Sequence, residues 1–400
     1  MTTNLGGLKC FTWDRTMVPT ALKTTLEGRT QLVVPADSLT RKVPATFPVF
    51  FNPAARLNRD ISVAVAAVTG PKTYLDALAG TGARGVRISK EAVPEALVTL
   101  VDFNEASLSV AAKNVRKNRL AKRCALVHSE VNAYLYSRFD RGEKFDAVDV
   151  DPFGTPAPYL QAALVASGDG AILSFTATDA AVLCGVYPGV ALRRYGSATP
   201  RSEFVHETAI RILAAFAARM GGINDIGVEP VIAHSTLHYL RVFLRISRGA
   251  AAADETQKNI GYVTQCNGCY SRSSGKAPLS RCPNCSLRVR SAGPLWLGKL
   301  CDEKLQTRAA QFCDEQKWTD AAATVSSMIG VDGFPPFSYS LERAASRLGS
   351  SSVPMEAVME RLESAGFSCM RQPFEELSLK TDADCEELQQ AVKGASRELA

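Results

Sequence analysis

The side chains best suited to chemistry in this chain are Asp151, Pro152 and Phe153. They follow the apolar stretch Phe145-Asp146-Ala147-Val148-Asp149-Val150 and precede Gly154. The stretch reads as a buried strand that runs out into a tight turn at Asp151-Pro152. Open α/β sheets bind ligands at the carboxyl ends of their strands. The trio suits one task, holding a flat base whose exocyclic amine must lose a proton. An ionised carboxylate only accepts hydrogen bonds, so Asp151 can bind an amine hydrogen and then take the proton. Pro152 has no N–H, and its carbonyl is free to accept the second amine hydrogen. Phe153 offers a ring face for stacking. Taken alone, the same residues also describe an ordinary strand-to-loop turn.

Upstream, Tyr74-Leu75-Asp76 ends a strand and opens Ala77-Leu78-Ala79-Gly80-Thr81-Gly82-Ala83-Arg84-Gly85. Glycines between a strand and a helix let the backbone approach a cofactor closely. A dinucleotide site prefers a turn whose helix N-terminus faces a pyrophosphate. Here Asp76 sits at the strand end ahead of Gly80, Gly82 and Gly85, where it repels phosphate and suits a positively charged cofactor bearing an amine, such as S-adenosylmethionine. A second strand, Ala96 to Val101, ends in Asp102, positioned for ribose hydroxyls, and a third, Cys124 to Val127, ends near Glu130.

A separate cluster lies further on. Cys266-x-x-Cys269 and Cys282-x-x-Cys285 form two knuckles with twelve residues between them. That spacing is specific for tetrahedral Zn2+ held by four thiolates, a closed and therefore structural site. Metal binding contributes on the order of 10 kcal/mol to folding such a module. Tyr270, Arg272, Lys276, Arg281, Arg288 and Arg290 surround it, which leaves two readings, a purely structural clip or a clip that also touches RNA.

These residues need elements to position them. Gly28 to Pro35 reads as a short strand, Ile61 to Val68 as a buried helix, Glu105 to Asn118 and Glu203 to Met220 as amphipathic helices, and Gly170 to Thr176 as a fifth strand. Strand and helix alternate, so the fold class is α/β, a Rossmann-like doubly wound and mostly parallel sheet. Val228 to Ala233 and Tyr239 to Ser247 read as a closing hairpin, and Gly249 to Asp254 as a linker. The expected division is 1–250 for catalysis and 251–400 for a C-terminal α+β part, with a zinc module at 262–290 and a winged-helix-like tail at 334–382. In the tail, helices Ser340 to Leu348 and Glu356 to Ala365 precede a hairpin within Phe367 to Lys380. Leu192-Arg193-Arg194-Tyr195-Gly196 places basic residues beside an aromatic. His234 and His238 fall in a turn between strands, where packing or hydrogen bonding is expected rather than metal ligation. The run Arg116 to Arg123 reads as a solvated helix end, where positive charge suits the dipole.

The chain has 400 residues, a formal net charge of +6 and eleven cysteines. Its length suits two or three domains. No apolar run reaches a membrane span, and no secretory h-region is evident. Scattered thiols such as Cys10, Cys124, Cys184 and Cys313 point to a reducing, cytoplasmic setting, and no obligate protein partner is evident.

With these pieces in order, the chain resembles the tRNA (guanine-N2)-dimethyltransferase family of the archaeal type, which modifies guanine 26 of tRNA. The resemblance covers nearly the whole chain and rests on Phe50-Phe51-Asn52-Pro53 with Asn58-Arg59-Asp60, Leu75 to Gly85, Asp151 to Pro158, Thr176 to Gly185, Ser202-Glu203-Phe204, His238-Tyr239 with Arg241-Val242-Phe243, and Pro335-Pro336-Phe337. It implies a class I S-adenosylmethionine-dependent methyltransferase fold with tRNA as partner. It further implies that Arg59, Arg84 and Asp102 contact the cofactor, that Glu130 and Val131 border the adenine, that Asp151 is the catalytic carboxylate, and that Phe50 and Phe153 hold the flipped guanine. One departure is visible: Glu130-Val131-Asn132 stands where the family usually has Asp-Ala-Asn. The rival readings are an amino-methyltransferase for rRNA guanine or DNA adenine, a non-catalytic RNA-binding zinc protein, and a nicotinamide oxidoreductase, the last disfavoured by the turn spacing.

Overall fold

The computed structural model describes residues 21–41, 48–236, 239–350 and 353–397. The chain opens with a hairpin, β1 (Leu22–Glu27) and β2 (Thr30–Pro35), paired antiparallel. The strand expected from Gly28 starts only at Thr30, because Gly28 takes φ +56° and makes the turn. Its partner β1 went unread because its side chains are mostly exposed and carry no apolar rhythm. Helix α1 (Arg56–Thr69) buries Ile61, Val63, Ala64 and Val65 and stops at Gly70, whose left-handed conformation closes the helix.

The central unit then alternates: β3 (Thr73–Ala77), α2 (Ala83–Arg87), β4 (Leu97–Asp102), α3 (Glu105–Lys117), β5 (Cys124–His128), α4 (Val131–Asp140), β6 (Phe145–Val150), α5 (Leu160–Ala166) and β7 (Ser167–Ala177). Two short helices, α6 (Ala180–Leu183) and α7 (Pro188–Tyr195), and the long α8 (Val205–Gly222) lead to β8 (Ile226–Thr236) and β9 (Tyr239–Arg248). The seven strands lie in the order β5-β4-β3-β6-β7-β9-β8. β3 to β7 run parallel, and β9 is antiparallel to both β7 and β8. This is the Rossmann-like, doubly wound α/β sheet expected from the sequence. Its order reverses between β3 and β6, the switch point where such sheets open a crevice at their carboxyl ends.

The segment expected to be a linker is helical. α9 (Ala250–Gln257) is rich in alanine, the best helix former, and buries Ala253 and Thr256. The Thr256 hydroxyl accepts the Val228 N–H at 3.0 Å, which seats the helix on β8.

Beyond it, β10 (Ile260–Gln265), β11 (Arg272–Gly275) and β12 (Ser291–Trp296) form a three-stranded sheet around the cysteines. α10 (Glu303–Glu315) and α11 (Thr319–Ser326) return to the central unit, where Leu305, Ala309, Cys313 and Trp318 share a core with Ile61 and Val63 of α1. The tail holds β13 (Tyr339–Ser340), α12 (Leu341–Arg347), α13 (Met355–Ser364), β14 (Cys369–Arg371), β15 (Ser378–Thr381) and α14 (Cys385–Arg397). Its sheet order is β13-β15-β14, which gives the winged-helix-like arrangement an added final helix.

Two buried ionic clusters join the tail to the rest. On α8, Glu207 is fully buried; Lys380 Nζ donates to its Oε1 and Oε2 at 2.9 Å each, Gln372 Nε2 donates at 2.6 Å and Arg211 Nε at 2.9 Å. Burial works to raise the Glu207 carboxyl, but Lys380 and Arg211 outweigh it and hold it below the usual carboxylate range. Nearby, Glu203 pairs with Arg272 at 2.6 Å, and the guanidinium of Arg272 lies 3.8 Å from the ring centroid of Tyr339. Removing one partner of a buried pair strands a charge. Lys380→Met is therefore expected to lower the unfolding free energy by about 3–5 kcal/mol in urea titrations and to open the tail to limited proteolysis, whereas an unchanged midpoint would show that the pair does not hold the tail.

Candidate active site

Asp151 follows β6 at the switch point, as the strand-end reading requires. Its Oδ2 is ion-paired with Nη2 of Arg84, a first-turn residue of α2, the helix that follows the glycine turn. Its side chain is 30% exposed, and among the described residues Oδ1 has no partner, so one oxygen is anchored while the other is open to an incoming donor. Pro152 is buried, and no backbone N–H among the described residues bonds its carbonyl. The Phe153 ring is 65% exposed and meets Phe50 edge-on, with centroids 4.7 Å apart and planes at 78°. Behind the turn, Gly154 donates to Thr178 Oγ1 at 2.7 Å, and its carbonyl accepts the Thr178 N–H at 2.8 Å. The mouth therefore combines one anchored acid, one free carbonyl and two rings.

Beneath Asp151 lies a charged layer that is fully enclosed. Asp149 shares the strand face of Asp151, two residues back, and is fully buried. Arg84 Nε lies 3.3 Å from its Oδ1, Arg241 Nη2 is ion-paired with its Oδ2, Ser174 Oγ donates at 2.7 Å and Tyr74 Oη at 3.1 Å. Arg84 Nη1 also donates to Asn58 Oδ1 at 2.7 Å and Ser62 Oγ at 2.6 Å, and Arg241 Nη1 donates to Thr176 Oγ1 at 2.7 Å. Strand register assembles this layer, with Asp76 opposite Asp149, Asp149 opposite Ser174, and Thr176 opposite Arg241. Burial would raise the Asp149 carboxyl, but Arg241 and Arg84 hold it low. Burial likewise works against the Arg84 charge, and Asp149 and Asp151 outweigh it.

In the turn between β3 and α2, Gly80 and Gly82 take φ +55° and +71°, a conformation costly for any residue with a Cβ. Gly85 has a different reason: a Cβ there would stand 2.3 Å from Leu100 Cδ2, so only glycine lets α2 close onto β4. Asp102, at the end of β4, accepts the Gly80 N–H at 2.7 Å and the Asn104 N–H at 2.8 Å. Asp76 is buried, accepts the Gly85 N–H at 2.8 Å and braces the turn from within; burial, with Asp149 alongside, pushes its carboxyl up to about 7. Arg59 is committed to Glu27 of β1, both pairs at 2.6 Å, and its Nη2 also donates to the Asn52 carbonyl at 3.0 Å. Glu130 caps α4 by accepting the Ala133 N–H at 2.9 Å, and Val131 packs into the core. Thus Asp151, Arg84, Phe50, Phe153, Asp102 and the glycine turn converge, whereas the side chains of Asp76, Arg59 and Val131 point into other contacts. A cavity of about 530 Å³ opens at the opposite ends of the strands beside Lys72, Asp146 and Arg245.

The family model for N2,N2-dimethylguanosine tRNA methyltransferase matches residues 28–393. The chain belongs to this family. A tRNA (guanine(26)-N(2))-dimethyltransferase of Methanopyrus kandleri is 39% identical over 367 residues, covering 91% of this chain and 94% of its own. The enzyme of the same name from Haloarcula marismortui is 34% identical over 376 residues, covering 92% and 98%. Among solved structures, Trm1 of Pyrococcus horikoshii in complex with S-adenosyl-L-methionine superposes with a TM-score of 0.81 at 29% identity, covering 92% of this chain and 99% of that one.

In this member of the tRNA dimethyltransferase family, the four thiols of Cys266, Cys269, Cys282 and Cys285 lie within 4.8 Å of one another and can hold a metal ion. Cys266 and Cys285 are 3.5 Å apart at sulfur, as are Cys269 and Cys282. A tetrahedron of about 2.3 Å zinc–sulfur bonds has edges close to that. The knuckles repeat one geometry: the Tyr270 N–H returns to the Cys266 carbonyl and the Ser286 N–H to the Cys282 carbonyl, and both Tyr270 and Ser286 have positive φ.

Sequence reasoning missed Arg241, Ser174 and Tyr74, which are distant in the chain. It also missed Phe103, whose ring is 62% exposed directly after Asp102. An arginine set between Leu240 and the apolar run Val242-Phe243-Leu244 was the available signal for Arg241. His234, the buried strand partner of Arg241, hydrogen-bonds Thr236 Oγ1 through Nδ1 at 3.1 Å, in line with the expected hydrogen-bonding role; His238 lies outside the described residues.

Burial, then the charges of Arg241 and Arg84, lower His234 from 6.5 to about 3. The folded protein therefore resists a proton that the unfolded chain takes up. Stability should fall as pH drops from 6.5 towards 3, by about 1.4 kcal/mol per unit from this group. His234→Asn is expected to flatten that slope in unfolding free energies measured against pH. Parallel curves for the two proteins would show that His234 is not the group responsible.

Proposed function

We infer that this protein transfers methyl groups from S-adenosylmethionine to the exocyclic N2 of a guanine in tRNA, guanine 26 by the names of its relatives. The observation that carries the reading is the Arg84–Asp151 pair, which couples the helix after the glycine turn to the acid beside the base-holding rings.

The cofactor side fits S-adenosylmethionine. Gly80 and Gly82 leave the turn without side chains, and a Cβ on Gly80 would meet only the Phe50 carbonyl, at 3.8 Å. Asp102 keeps lone pairs beyond its two backbone bonds for ribose hydroxyls. Phe103 and the backbone at Glu130-Val131 would border the adenine, and Arg84 would face the amino-acid end. Asp76 and Arg59 act here by bracing the turn and the Asn52 segment. When bound, the cofactor supplies a sulfonium methyl open to attack by an amine lone pair.

The chain's own residues prepare that amine. Guanine leaves its stack at a cost of a few kcal/mol and is received by Phe50 and Phe153. Asp151 Oδ1 and the Pro152 carbonyl accept the two N2 hydrogens, which aims the lone pair, and Asp151 takes the released proton. Alignment of this kind contributes roughly 7–11 kcal/mol to lowering a barrier. A singly methylated N2 retains one N–H for Asp151, so a second round uses the same groups. We assign catalysis to 1–250 and tRNA holding chiefly to 251–400, with Zn2+ on the four cysteines as a structural ion, and place the enzyme in the cytoplasm on its cysteine usage.

Asp151→Ala leaves Arg84 paired with Asp149, so folding and cofactor binding should persist while turnover falls about 10²–10⁴-fold. Calorimetry and nucleoside mass spectrometry read the two effects, and normal turnover would remove Asp151 from its role. For the metal, elemental analysis should find one zinc per chain and none in Cys282→Ser; an unaltered zinc content would refute the thiolate assignment.

A further inference from the structure

The motif Leu192-Arg193-Arg194-Tyr195-Gly196 is absorbed by neither the chemistry nor the core. It belongs to α7, and α7 is fastened to the catalytic turn. Tyr195 is fully buried, and its hydroxyl lies 2.6 Å from Thr155 Oγ1, one residue past Gly154. The same hydroxyl donates to Asp179 at 2.9 Å, and Arg194 Nη1 donates to that carboxylate at 2.6 Å. The Gly154 carbonyl accepts the Asp179 N–H at 3.3 Å. The inner face of α7 is thereby a rigid continuation of the Asp151–Gly154 turn.

Its outer face is unusual for a surface. Leu192 on α7 and Val186 and Tyr187 just ahead of its first residue are 59%, 60% and 56% exposed. Arg193 is exposed and has no ion-pair partner among the described residues. From Thr178 to Ser202 the charged residues are Asp179, Arg193, Arg194 and Arg201, and the single acid is neutralised by Arg194. A large exposed aromatic, two aliphatic side chains and uncompensated positive charge, carried on a segment that Asp179 and Tyr195 fasten to the Asp151–Gly154 turn, form a platform for unstacked bases and phosphate.

We propose that the exposed surface of residues 186–193, from the N-cap of α7 onto the helix, is a docking surface for the tRNA strand that flanks the target guanine, with Tyr187 stacking on a neighbouring base and Arg193 meeting a phosphate. This rests on Asp151 marking the methylation site. Flipping one base exposes the faces of its neighbours, and an exposed ring on that segment recovers part of the lost stacking. Val186 and Leu192 widen the apolar floor under that base.

The test uses full-length enzyme and a tRNA transcript. Tyr187→Ala should weaken tRNA binding and raise KM for tRNA about tenfold, leave kcat and cofactor affinity near wild type, and be rescued by Tyr187→Trp. Arg193→Ala should reduce the salt slope of binding by about 0.7–0.9. Melting curves guard against misfolding, and the tryptophan variant keeps the test valid if the alanine variant is unstable. Unchanged KM and salt slope in both variants would overturn the proposal, as would Tyr187→Ala dissociating a dimer without affecting tRNA affinity. These outcomes are distinct from failure of the site reading, in which Asp151→Ala would turn over normally.

Discussion

The sharing of Asp149 between two buried arginines is the constraint on which the active site depends. Asp149 compensates the buried charges of Arg84 and Arg241, and these two arginines in turn keep its carboxylate ionised in the sheet interior. Arg84 then has a second, short pair with Asp151 at the surface of the same layer. The Asp151 carboxylate is therefore held by a guanidinium that is itself immobilised from below by Asn58, Ser62 and Asp149. Preorganisation of this kind is what a proton acceptor needs, because a freely rotating carboxylate would spend most of its time out of line with the amine.

A second level of fixing acts through the backbone. The Phe50 segment lies over the glycine turn and is tied down by the Asn104 side chain, whose Nδ2 donates to the Pro48 carbonyl at 2.8 Å. Arg59 reaches back to the Asn52 carbonyl, and Arg87, below it, bridges Glu27, Asp60 and Glu91. The N-terminal hairpin is thus coupled electrostatically to the helix that follows the cofactor turn. Arg59 is better understood as a member of this bracing network than as an isolated side chain waiting for a ligand.

The C-terminal part is joined to the catalytic sheet by core packing and by charge. α10 and α11 complete the apolar core around α1, while Glu203, just before α8, and Glu207 in its first turn reach the four-cysteine module and the tail. Arg272, on the strand between the two cysteine knuckles, is stacked among Tyr339, Tyr270 and Phe204. The knuckles therefore flank an arginine that pairs with Glu203 and stacks on Tyr339, which links the four-cysteine module to the placement of the tail.

What the sequence by itself determined was local: the alternation of strands and helices, the glycine turn, the acids at strand ends, the cysteine spacing and the aromatic-basic motif of α7. These follow from backbone periodicity, glycine's freedom at positive φ and ligand spacing, all set within a few residues. What only the tertiary structure decided was which distant side chains meet. Asp149 and Arg241 are 92 residues apart, and Arg59 and Glu27 are 32 apart; their pairing depends on strand register and on a hairpin with no apolar rhythm. The helical state of α9 and the added α14 were likewise settled by surfaces supplied elsewhere in the chain. Register and long-range burial choose among partners that local propensity treats as equivalent.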